Sequence, residues 1–168
     1  MLMMDEKQCI EFLRRHQPMP ADDDWDDDCE KLDEVRRFLT NNICVDAIPL
    51  LLNVFGEGNG YGVYQQVELA VRQYAPGDVV PHLLQGLRFD LSSVVYWNAQ
   101  IAASFPDERL IDPLTELVHS SDPDIQATSI TSIGCIRHPK VGAILESLQR
   151  LDLDDELREL VDDGLECQ

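Results

Sequence analysis

Residues 113–134 read PLTELVHSSDPDIQATSITSIG, and the order of residue types in this stretch decides the fold. Pro113 heads an apolar run in which Leu114, Leu117 and Val118 keep helical spacing. Asp122 followed by Pro123 reads as an N-cap with proline at the first helical position. The carboxylate accepts from amides that the first turn cannot satisfy, and proline has no amide to lose there. Beyond it, Ile125, Ser129, Ile133 and Ile136 fall on one helical face. Two short amphipathic helices joined by a tight turn are predicted, and neither can bury its apolar stripe alone.

The same pattern recurs outward from this stretch. Pro49, Pro81 and Pro113 stand 32 residues apart, each before an apolar segment: Leu50-Leu51-Leu52, Leu83-Leu84, and Leu114 with Leu117-Val118. Leu69, Ile101 and Ile133 keep that interval, each followed by a small residue, Ala70, Ala102 and Gly134. Asp90 and Asp122 keep it too. A period of this length suits two short helices and two turns. The predicted hairpins pair residues 46–55 with 62–74, 78–89 with 92–105, and 108–119 with 123–137, with a degenerate fourth, 141–151 with 154–165. Pro76-Gly77 and Pro139 are expected to stop the helices before them. Two further helices, over 7–16 and 26–40, flank Pro18-Met19-Pro20. The expected organisation is a single domain: a helical cap over 1–42, then repeats over about 46–77, 78–109, 110–141 and 142–168.

On these residues the chain resembles the HEAT-repeat family in its short bacterial form. The typical repeat runs Pro-x-Leu, then Asp-Pro-x-Val-Arg, then spaced alanines ending in Ala-Leu-Gly. Here the counterparts are Pro113-Leu114-Thr115-Glu116-Leu117, Asp122-Pro123-Asp124-Ile125-Gln126 and Ser132-Ile133-Gly134. The likeness covers roughly residues 46–138, with a weaker tail. Gln126 replaces the family's usual arginine, so an Asp–Arg ladder between repeats is not implied. The resemblance implies an all-α, right-handed α-solenoid of helical hairpins with helical caps, a scaffold that hosts many tasks. It also implies that second helices line the concave side. Tyr61, Tyr64, Tyr96 and Trp97, at or near the starts of second helices, thereby become interface candidates, with core packing the alternative for Tyr96 and Trp97. Gln65, Gln66, Glu68, Arg72, Asn98 and Gln100 are their polar neighbours.

Charge narrows the function classes. The 168 residues include 32 acidic and 13 basic side chains, for a net charge of −19. Such a field repels nucleic acid and anionic membranes and accelerates encounter with cationic partners. The 44% hydrophobic content is too high for a disordered acidic chain and supplies a core. No segment approaches the roughly 20 apolar residues of a membrane span. Asp5, Glu6, Lys7 and Glu11 break any leader-like pattern at the start, so a cytoplasmic location is expected. The five cysteines, Cys9, Cys29, Cys44, Cys135 and Cys167, are odd in number and far apart, without a Cys-x-x-Cys. That argues against a disulfide framework or a zinc knuckle, and buried, reduced thiols are expected.

The run Asp22-Asp23-Asp24-Trp25-Asp26-Asp27-Asp28 invites a calcium reading, but no register places glycine sixth and a bidentate acid twelfth. It reads instead as an acidic cap on the helix over 26–40, or as an aromatic anchor among carboxylates for a cationic partner. His16, His82, His119 and His138 form no His-x-x-x-His pair, and metal ligands, cofactors and catalytic residues are not expected. Gly56-Glu57-Gly58-Asn59-Gly60 lacks the strand and lysine of a phosphate loop and is expected to be a flexible connection. Between Asp152 and Glu166, eight carboxylates accompany the helical stripe Leu153, Leu157, Leu160, Val161 and Leu165.

The expected contact residues are therefore Asp22 to Asp28, Tyr61, Tyr64, Gln65, Glu68, Tyr96, Trp97 and Gln100. The expected partner is a basic protein, with the chain acting as an immunity or inhibitor protein against a basic toxin such as a nuclease. No nucleic-acid or membrane partner is expected, and the oligomeric state stays open. A general scaffold or adaptor, and a chromophore-handling protein like the phycobilin lyases, are the alternatives. A DNA glycosylase of similar architecture would require phosphate-neutralising cations, which conflicts with the charge.

Overall fold

A computed structural model describes residues 4–25 and 27–168, and among them ten α-helices and no strand are found. In chain order these are α1 (Glu6–Arg15), α2 (Asp28–Asn41), α3 (Ile48–Leu52), α4 (Val63–Val71), α5 (Pro76–Gly86), α6 (Ser92–Ala102), α7 (Ile111–Leu117), α8 (Pro123–Gly134), α9 (Pro139–Gln149) and α10 (Asp155–Glu166). Every predicted helix has its counterpart, and the fold is the all-helical, HEAT-like α-solenoid type. The differences lie at the ends. Predicted helices that ran on to residues 105 and 137 stop three residues earlier, because the chain tightens there into turns closed three residues back: Phe105 to Ala102, and Ile136 to Ile133. The helices over 46–55 and 108–119 enter through single 3-10 turns, Val45–Ala47 and Glu108–Leu110, before α3 and α7 begin.

The prolines at 76 and 139 do not stop the helices before them. Each is the first residue of a new helix, α5 and α9, and α4 and α8 have already ended at Val71 and Gly134. At that position the missing amide costs nothing, so these prolines start helices.

The chain divides into two compact units, residues up to His82 and residues from Leu83 onward. In the first, α1 packs on α2 and α3, while α2 and α3 both pack on α4. Leu13, Leu32, Val35, Leu39, Leu51, Phe55 and Val67 form its core. Asp5 and Gln8 close a reciprocal capping box on α1. The Pro18-Met19-Pro20 connection is tied down: the Met19 amide donates to the Val54 carbonyl (2.8 Å) and the Gln17 side-chain amide to that of Leu50 (2.9 Å). The predicted cap helices thus pack on the first repeat.

In the second unit α8 lies between α6 and α10, with α7 and α9 against α8 and α9 also on α10. Asp122 and Asp154 cap α8 and α10 through amides of the first turn, so the true capping column runs from 122 to 154. Asp90 is not its earlier member, since Leu91 occupies the N-cap of α6 without a side-chain bond. Side-chain to backbone hydrogen bonds join these helices. Ser132 Oγ donates to the Ala99 carbonyl at 2.5 Å, and Gln126 Nε2 donates to the Val118 carbonyl at 2.9 Å. Gln126 therefore closes its own hairpin.

The 32-residue column of Leu69, Ile101 and Ile133 does not keep one environment. Ile101 and Ile133 are fully buried, whereas Leu69 is 46% exposed. In α4 the buried stripe is Val63, Tyr64, Val67, Ala70 and Val71, which leaves position 69 outside it. In α8, which lies between α6 and α10, position 133 falls inside the buried set with Ile125, Ser129 and Ile130.

Candidate functional site

The acidic run, the aromatics and the glycine loop meet in the N-terminal unit. Asp22 opens a 3-10 turn over Asp22–Asp24, and its carboxylate accepts from the amides of Asn59 (2.9 Å) and Gly60 (3.1 Å). Converging amides demand an unusual backbone. Gly58, Gly60 and Gly62 all have positive φ, and between them Tyr61 sits at φ 48°, the left-handed region that side chains rarely enter. A Cβ on Gly58 would run into the Asp22 carboxylate. The Tyr61 hydroxyl donates to the Asp22 carbonyl at 3.2 Å.

Trp25 completes the assembly. Its indole N–H donates to the Pro20 carbonyl (2.8 Å), and its ring meets Tyr61 and Tyr64 edge-on, with centroids 5.9 and 5.8 Å apart. Tyr64 in turn lies edge-on to Phe55 (5.3 Å), and its hydroxyl accepts from the Gly56 amide at 2.8 Å. The segment over Gly56–Gly60, expected to be a flexible connection, is instead packed and hydrogen-bonded at both ends. The glycines are there because amides must turn toward one carboxylate and the backbone must touch its neighbours.

The candidate residues consequently separate. Asp22 is committed to backbone amides. Asp28, in the first turn of α2, lies 3.4 Å from His16 Nε2 and 3.8 Å from Lys31 Nζ, and it faces the positive end of the helix dipole as expected of an acidic cap. Asp23, Asp24 and Asp27 are exposed, and Asp26 lies outside the described residues. Tyr64 is wholly buried, and that burial pushes its phenol up to about 12, which makes it a core residue. Trp25 is half-buried and Tyr61 is 62% exposed, leaving an aromatic pair at the surface among carboxylates. Gln65 is exposed and Glu68 half-exposed on α4.

In the second unit Tyr96 and Trp97 lie edge-to-face with centroids 5.4 Å apart, but Trp97 retains only 4% exposure and belongs to the core. Tyr96 and Gln100 are half-buried.

The second acidic surface is α10. Leu157, Val161 and Gly164 are buried, while Asp152, Asp154, Asp155, Glu156, Glu159, Asp162, Asp163 and Glu166 are exposed, with Arg158 among them. Elsewhere carboxylates hold several of the cations locally. Arg36 and Arg37 both grip Asp33, Arg88 reaches Glu116, and Lys140 on α9 meets Asp112 on α7. Arg109 forms a bidentate pair with Asp107, whose carboxyl is held down at about 2 chiefly by that hydrogen bonding. With Arg158 as the one basic residue of α10, its exposed face is strongly anionic.

Among the described residues, no group of three or more His, Cys, Asp or Glu side chains is placed to hold a metal ion, and no helix is long and apolar enough to cross a membrane. The cysteines divide. Cys9 and Cys44 are buried and Cys29 half-buried, but Cys135 and Cys167, at the ends of α8 and α10, are exposed, contrary to the expectation of buried thiols. Burial pushes the Cys9 thiol up to about 11. The role of Asp22 escaped sequence reading because its amide partners lie nearly forty residues away. The local signal was Gly60-Tyr61-Gly62, a bulky residue between glycines that marks an unusual backbone.

A family model described as HEAT repeats matches residues 80–166, more than half of the chain. No curated protein matches it.

Proposed function

The chain belongs to the HEAT-repeat family, a helical protein-interaction scaffold, and on that footing we propose that it is an acidic inhibitor of the immunity type, binding and neutralising a basic toxin such as a nuclease. The observation that carries this reading is the charge, −19 overall, with eight exposed carboxylates displayed along and beside α10. A cationic groove that normally holds a phosphate backbone is the natural complement of such a surface. Electrostatic steering would raise the association rate about 10–1000-fold at low salt. The half-exposed Trp25 and exposed Tyr61, next to Asp23, Asp24 and Asp27, supply the aromatic anchor that charge alone lacks.

The test is binding of the purified chain to a panel of basic nuclease domains at low and high salt, with nuclease activity read in parallel. Nanomolar binding that inhibits the nuclease and whose association rate falls steeply with salt is expected. Failure to bind any cationic domain at low salt, or binding indifferent to salt, would remove the reading. A second reading, a general adaptor, draws on Ile43 and Val45, which are 59% and 47% exposed. It would show as a partner whose affinity depends on those side chains and not on salt.

A further inference from the structure

The two exposed cysteines are brought together by the packing of α8 against α10. Gly134 and Gly164 mark the closest approach: a Cβ on Gly134 would lie 2.9 Å from the Gly164 Cα, so the two backbones touch. Cys135 follows Gly134 directly, and Cys167 stands one helical turn beyond Gly164 on the same side of α10. Gln168 pins that turn to the end of α8. Its Nε2 donates to the carbonyls of Gly134 (3.2 Å) and Gly164 (3.4 Å), while its Oε1 accepts from the His138 amide (3.2 Å). A largely apolar groove of about 170 Å³ runs between the helices, with Thr131 and Cys135 on one wall and Leu160, Asp163 and Cys167 on the other. Both thiols therefore face one small cavity that is open to solvent.

We propose that Cys135 and Cys167 form a dithiol site for low-molecular-weight disulfides, such as glutathione disulfide, and that it closes to an intramolecular disulfide across α8 and α10. The Cys167 thiolate attacks one sulfur of the small disulfide. That S–S bond breaks, one glutathione leaves as a thiolate and takes up a proton, and a mixed disulfide remains on Cys167. Cys135, as its thiolate, then attacks the Cys167 sulfur and releases the second glutathione, which is also protonated. Two protein thiols are oxidised and one glutathione disulfide is reduced to two glutathiones. The order follows from the surroundings of Cys135. Its thiol donates to the Thr131 carbonyl at 3.4 Å, and burial, with the neighbouring Cys167, pushes its ionisation up. Cys135 is thus the resolving thiol, and raising the pH speeds closure as its thiolate fraction grows.

The experiment incubates the reduced, folded full chain with glutathione disulfide, blocks remaining thiols by alkylation, and maps the digested protein by mass spectrometry. A Cys135–Cys167 linked peptide is expected, with the intact protein lighter by two hydrogens. The linked form should melt about 5–10 °C higher, from the entropy that the crosslink removes from the unfolded chain. C135S is expected to stop at one glutathione on Cys167, and closure of the wild-type chain should accelerate about tenfold per pH unit while the Cys135 thiol stays protonated. Glutathione on both cysteines without a link, Cys167 pairing between molecules, or pairings no more selective than in urea would each overturn the proposal.

Discussion

Replacing Gly134 by alanine tests whether the α8–α10 contact is as close as the fold requires. The added Cβ would sit 2.9 Å from the Gly164 Cα, and its nearest neighbours are all backbone atoms of α10. Carbon atoms in ordinary contact stay about 3.5–4.0 Å apart, so the helices must separate by roughly 0.5–1 Å. A gap of that size forfeits about a quarter to a half of each contact along the seam. Overpacking of this kind costs about 1–3 kcal/mol. The helix propensity of alanine returns at most about 1 kcal/mol, and less at the last residue of a helix. A net loss of about 1–2 kcal/mol follows, or a Tm lowered by roughly 3–6 °C.

Two companions sharpen the comparison. A Cβ on Gly164 would meet the end of the Leu145 side chain at 3.0 Å and the Gly134 Cα at 3.4 Å, and the leucine can yield. G164A is therefore expected within about 0.5 kcal/mol of the parent, after the propensity gain in the helix interior. A Cβ on Gly77 in α5 would have nothing within 4 Å of it, so G77A should stabilise by about 0.5 kcal/mol. Urea unfolding followed by far-UV circular dichroism gives the ranking, and hydrogen exchange localises the loss to α10. A G134A chain as stable as the parent, or a G164A chain weaker than G134A, would refute the close-contact account.

Removing the Asp22 carboxylate with D22A strands the Asn59 and Gly60 amides, and should lower stability by about 1–2 kcal/mol while changing the near-UV signal of the Trp25 cluster; an unchanged spectrum would show that the glycine loop holds itself. The depressed carboxyl of Asp107 makes stability pH-dependent in a defined direction. Because its folded value of about 2 lies below the ordinary one, the contribution is complete above about pH 4 and is lost as pH falls toward 2. Discounted for the solvent around Arg109, it amounts to about 1 kcal/mol, so D107N should flatten that part of the acid-unfolding profile without altering stability differences between pH 5 and 7.

Helix order and repeat length were legible in the chain because their causes are local. Asp122-Pro123 caps a helix from its own side chain and ring, and the 3.6-residue spacing of Ile125, Ser129 and Ile133 marks a face. The acidic character was legible for the same reason, since charge counts need no coordinates. What tertiary packing decided was the fate of individual side chains within that pattern. Asp22, one of six aspartates around Trp25, was singled out by amides thirty-seven and thirty-eight residues away, and Tyr64 and Trp97 went into the core while Tyr61 stayed at the surface. Gly134 met Gly164, and the exposed thiols beside them came to share a groove, through helices that pattern alone does not align. Periodicity specifies which residues point to one side of a helix; which neighbour lies there, and how near, depends on contacts between segments far apart in the chain.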